Sequence, residues 1–79
     1  MNQQDLVEML RQRPFQPFHI HVSDGAVYDI RHPEMMMVDR SKALVFFPPS
    51  DRSLPVIERY EAVSLAHMTR LEPIQYTSA

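Results

Sequence analysis

The sequence has no cysteine, no tryptophan and a single glycine. Without cysteine there is no disulfide framework, no thiolate metal site and no thiol nucleophile. With one glycine there is no Gly-rich loop to cradle a phosphate, and no helical pair of zinc-binding histidines is present either. No apolar run approaches the roughly 20 residues that a membrane-spanning helix requires. Charge of one sign is also lacking: ten acidic and eight basic residues leave a net charge of −2. That balance argues against the broad basic surface on which non-specific nucleic-acid binding depends. The opening "MNQQDLVEML" lacks the basic stretch and apolar block of a secretory signal, so a cytoplasmic protein is expected.

What is present is 79 residues, 44% of them hydrophobic, with seven prolines and six methionines. A chain of this size makes one domain, and it buries only about 60% of the surface its unfolded form exposes. Such a thin core usually calls for a staple or a partner chain, and here only a partner remains. The prolines recur between apolar segments and act as punctuation.

Residues 2–12 read as a helix. Leu6, Met9 and Leu10 fall at i, i+3 and i+4, which makes one apolar stripe. Asn2 suits the N-cap, Asp5 the first turn and Arg11 the last. Pro14 then stops the run. About three turns of helix are marginal in water, so this one must dock.

"PFHIHVSDGAVYDIRH" follows. Phe18, Ile20 and Val22 point one way, and His19 and His21 the other. The turn length comes from register. A two-residue Asp-Gly loop would set Ile20 against Asp29. A three-residue loop Ser23–Asp24–Gly25 pairs Val22 with Ala26, Ile20 with Tyr28 and Phe18 with Ile30, so the apolar residues share a face. The second arrangement is expected, with Gly25 in a left-handed conformation. It places His19 opposite Asp29 on the outer face. His19, His21 and Asp29 are thus candidate metal ligands, but a third strong ligand is missing. Plain cross-strand neighbours are the expected outcome, with no metal and no cofactor.

"EMMMVDRSKALVFFPP" reads as a second hairpin, with Asp39–Lys42 as its loop. Val38 pairs with Ala43, Met37 with Leu44 and Met35 with Phe46. Both faces are apolar, whereas a solvent-washed antiparallel sheet alternates. One face is core, and the other must be covered by the helix or by another subunit. The face carrying Met36, Val38, Val45 and Phe47 is the expected interface, because methionine suits adaptable contacts. A polar, proline-broken connection leads to a strand at 58–63, a 3₁₀ turn near "SLAHM" and a last strand at 69–72.

The expected fold is therefore mainly β. It has a helix, then strands at 18–22, 26–31, 35–38, 43–47, 58–63 and 69–72, in a small, strongly bent five- to six-stranded antiparallel barrel over 15–74. A flexible tail is expected over 75–79. "IHVSDGAVYDI" is similar to the Sm-like pattern of strand, polar-glycine turn and strand. "AVSLAHMTRLEPI" is similar to the Sm-like closing strands, in which an aliphatic residue precedes Glu-Pro. The chain also resembles a group of uncharacterised bacterial proteins of about this length that share "RPFxPFxIHxSDGxxYxIRHPE" and "HxTRLEP", here residues 13–34 and 67–73. The Sm-like and SH3-like resemblance implies a small barrel that oligomerises. It also implies an alternative role in binding RNA or single-stranded nucleic acid, with Arg31, His32, Arg40, Lys42 and His67 on the backbone and Tyr28 or Phe47 stacking on bases. The reading the residues favour is a non-catalytic interaction or assembly module, acting as a homo-oligomer or with a protein partner, and not in a membrane.

Overall fold

The computed structural model describes residues 1–75. The chain starts with helix α1 (Gln3–Arg11), which Asn2 caps by accepting the Asp5 backbone N–H at 2.9 Å. Its apolar stripe docks as expected. Leu6 is fully buried, and Met9 and Leu10 pack partly against the same core.

Six strands follow: β1 (Phe18–Val22), β2 (Val27–Ile30), β3 (Met36–Val38), β4 (Lys42–Phe47), β5 (Arg59–Ser64) and β6 (Met68–Pro73). They form two three-stranded antiparallel sheets, ordered β2-β1-β6 and β3-β4-β5. Among the described residues no strand pairing joins the two sheets into a closed barrel. Single 3₁₀ turns occupy Pro33–Met35 and Leu65–His67. Residues 76–79, most of the expected tail, lie outside the described part.

The first hairpin has the register that the apolar pattern selects: Phe18 opposite Ile30, His19 opposite Asp29, Ile20 opposite Tyr28 and His21 opposite Val27. Its turn is Ser23–Asp24–Gly25, closed by the Val22 N–H on the Ala26 carbonyl at 3.0 Å. Gly25 has φ +92°, a region that disfavours every residue with a Cβ. Asp24 steadies the turn by accepting the Ala26 N–H at 2.9 Å. In the second hairpin Val38 faces Ala43 and Met37 faces Leu44, as read from the sequence. Met35 does not continue this ladder opposite Phe46. Pro33 instead starts a 3₁₀ turn that takes in Met35, since proline presets its dihedral.

The core lies between the inner faces of the two sheets. Phe18, Ile20 and Ile30 come from the first sheet, and Met36, Ala43, Val45 and Val63 from the second. Leu6, Leu65 and Met68 complete the cluster. No buried side-chain nitrogen or oxygen among the described residues lacks a hydrogen-bond partner. No described helix is long and apolar enough to cross a membrane.

Candidate interaction surfaces

Pleating sends alternate residues of β3, β4 and β5 to opposite faces. The inner face takes Met36, Val38, Ala43, Val45, Phe47 and Val63. Two of the four expected interface residues, Met36 and Val45, therefore lie inside the fold. Met36 and Val45 are 4% and 1% exposed and belong to the chain's own core. Val38 and Phe47 are half-buried and pack against it. Two apolar faces on one hairpin look equivalent in sequence, and the position of the first sheet decides which is covered. A side chain already enclosed by its own chain has little surface left to offer.

The outward face therefore carries the exposed apolar surface. Met37, Leu44 and Ala62 stand opposite one another in a row across the sheet, and Phe46 and Tyr60 form a second pair. Met37 is 65% exposed and Tyr60 61%. The long connection before β5 adds to this surface. Leu54, Pro55 and Ile57 border a small cleft of about 230 Å³ with Phe46, and Val56 and Ile57 are themselves exposed. Among the described residues, four of the five large exposed hydrophobic ones thus lie on this face or in the connection beside it, the exception being Val27 on β2.

The outer face of the first sheet is polar. His19 Nδ1 lies 2.6 Å from Asp29 Oδ1. His21 Nε2 lies 3.0 Å from Glu72 Oε1 and 3.1 Å from Arg70 Nη2. The candidate metal ligands thus diverge. Asp29 meets His19, while His21 turns to β6. Among the described residues no three histidine or carboxylate groups converge as a metal set. The hydrogen bond from His21, and then the charge of Arg70, hold the Glu72 carboxyl below the usual carboxylate range. Glu72 could not be foreseen as a partner, because His21 and Glu72 are 51 positions apart.

The candidate nucleic-acid residues separate into two places. Arg31 and His32 border a cleft of about 500 Å³ with Arg52, and Arg31 also lies 3.5 Å from Asp29. Arg40 and Lys42 flank the β3–β4 turn, where Lys42 Nζ donates to Asp39 at 2.9 Å. That bond, with the Arg40 N–H as a second donor, keeps Asp39 ionised below the usual range. The Leu65 N–H donates to the Ser41 carbonyl at 2.9 Å, which draws this turn beside the 3₁₀ segment holding His67.

A third surface runs along the seam between β2 and β5, each an edge strand of its own sheet. Tyr28 Oη donates to Glu61 Oε1 across it at 3.0 Å, and Arg59 Nη1 donates to Glu61 Oε2 at 2.6 Å. The Arg59 guanidinium sits 4.0 Å from the Phe47 ring centroid. Hydrogen bonds from Arg59 and then Tyr28 hold Glu61 below the usual carboxylate range, while the charge of Asp24 pushes the other way. Burial, and then the bond to Glu61, push the Tyr28 hydroxyl above its ordinary value. From sequence, Tyr28 reads as the apolar partner of Ile20 and Phe47 as part of the interface face, both also as stacking candidates, and nothing there joins either to Glu61. The alternation of β5, with Arg59 and Glu61 on the inward side, was the signal that could have found this group. No protein-family model, no curated protein and no solved structure matches this chain.

Proposed function

We propose that this protein is a non-catalytic interaction module that assembles with further copies of itself, or with a partner protein, through the outward face of β3-β4-β5. The observation that carries the reading is the cluster of Met37, Leu44, Phe46 and Tyr60 on that one face, with Met37 and Tyr60 each more than half exposed. Solvated sheet faces alternate toward polar residues, and contiguous exposed apolar area marks contact surfaces. The small core gives a second reason, because a chain of this length gains from a partner. The order of helix, hairpins, 3₁₀ turn and a last strand returning to β1 supports a small bent barrel of the Sm-like or SH3-like kind, and such folds serve many roles.

Light scattering coupled to size exclusion, run from micromolar to millimolar protein, tests the reading. A mass above that of one chain, rising with concentration, is the expected result. A single-chain mass throughout, with no partner shift of the Met37 and Tyr60 resonances, overturns self-association.

One observation favours a second reading, binding of single-stranded nucleic acid: the Ser41–Leu65 bond brings the Arg40 and Lys42 turn beside the 3₁₀ segment that holds His67. Fluorescence polarisation with labelled poly(U) and poly(A) at low salt decides it, since phosphate-dominated binding is strongest there.

A further inference from the structure

The seam between β2 and β5 is an open joint between two sheet edges. The two strands share no backbone hydrogen bond, and what spans the gap is a pair of side chains, Tyr28 and Glu61. Neighbouring strands lie about 4.8 Å apart, so seating one extra strand between two edges needs a gap of roughly twice that. Clefts flank the bridge on both sides and share Tyr28 and Glu61. One, of about 390 Å³, runs toward Asp24 and His67, and the other, of about 550 Å³, runs over Phe47 and Met35.

The two clefts differ in chemistry. No lysine or arginine lines the first, where Asp24 and Glu61 supply negative charge and Ser23 and Ser64 supply hydroxyls. The second is apolar at its floor, with Phe47 under Arg59 and Val27 51% exposed at its margin. Arg59 is already committed to Glu61 and to the Phe47 ring. Asp24 accepts the Ala26 N–H, but among the described residues it forms no ion pair. From these observations we infer that the seam seats an extended peptide segment of a partner protein, with a basic side chain at the Asp24–Glu61 end and an apolar one over Phe47. The segment pairs its backbone with the free edges, and its alternate side chains enter the two clefts, the mode known as strand addition. It enters by displacing the Tyr28–Glu61 hydrogen bond, and its lysine or arginine takes over the Glu61 carboxylate. This site is distinct from the outward face of β3-β4-β5 and stands or falls independently of it.

The experiment uses the full chain and three fluorescein-labelled peptides of equal length: alternating Lys-Val, alternating Glu-Val, and Lys-Val with alternate backbone nitrogens methylated so that strand pairing is blocked. The Lys-Val peptide is expected to bind at least about tenfold more tightly than either of the others. Amide shifts in ¹⁵N spectra are expected at residues 26–29 and 59–63. Asp24→Asn with Glu61→Gln is expected to weaken binding about tenfold while the amide spectrum stays dispersed. Equal binding of the methylated peptide, no binding of the Lys-Val peptide at millimolar concentration, or shifts confined to Met37, Leu44 and Tyr60 each overturn the inference. The shift map uses the unmodified protein, so the inference can be overturned even if the double variant fails to fold.

Discussion

His19 and Asp29 face each other across the first hairpin with Nδ1 and Oδ1 2.6 Å apart, and both side chains remain partly open to water. The contact is short, but it is solvated, and exposed cross-strand pairs contribute well under their vacuum strength. A double-mutant cycle of His19→Ala and Asp29→Ala, followed by urea denaturation, is expected to give a coupling below about 1 kcal/mol. A larger coupling would mean that the pair does more than hold register.

Acid should destabilise the fold through three carboxylates. Glu72, Glu61 and Asp39 all have folded pKa values depressed below their unfolded ones, by His21, by Arg59 and by Lys42 respectively. A depressed carboxylate favours the folded state above its unfolded pKa, and that contribution is lost as pH falls through the folded value. Stability is therefore expected to be flat near neutrality and to fall below about pH 4. Urea midpoints measured from pH 7 downward check this, and Glu72→Gln should make the fall shallower.

Phe18 is wholly buried between the sheets. Phe18→Ala is expected to cost about 3–5 kcal/mol, which is comparable with the entire stability of many small domains. Loss of amide dispersion or of a cooperative urea transition would register it.

Gly25→Ala isolates a backbone effect, because a Cβ there meets nothing within 4 Å while φ is +92°. The expected cost is about 1–2 kcal/mol, with Gly25→Asn costing less because asparagine tolerates positive φ better. Equal urea midpoints for Gly25→Ala and the parent would show that the turn relaxes to another type.

Met37→Glu places a charge in the middle of the outward apolar row. It is expected to lower the assembled fraction at least about tenfold while shifting the urea midpoint of the dissociated chain little, since surface changes usually stay within about 0.5 kcal/mol. Light scattering reads the first effect and denaturation the second.

Local structure was largely legible from the residues. The helix and its Asn2 cap, the three-residue turn at Gly25 and the facing of His19 with Asp29 all follow from short-range rules, because a one-residue slip would have put Asp29 among apolar side chains. The strand bounds agree to within a residue or two, as they do wherever alternation is strong. What short-range rules cannot supply is the placement of one sheet on the other. Met36 and Met37 are both apolar neighbours on one strand, and only the position of β1 makes the first core and the second surface. The same holds for His21, whose partners Arg70 and Glu72 arrive from β6, and for Tyr28, which meets Glu61 across the seam between the sheets.

That return of β6 to β1 has a consequence for how the protein is made. His21 and Arg70 touch although 49 positions separate them. During synthesis the first hairpin is made before the second sheet that covers Phe18 and Ile20 and before the strand that completes its own sheet. Pairings of such long range are slow to form. Until β6 arrives, one edge of β1 is open to pairing with whatever strand meets it first.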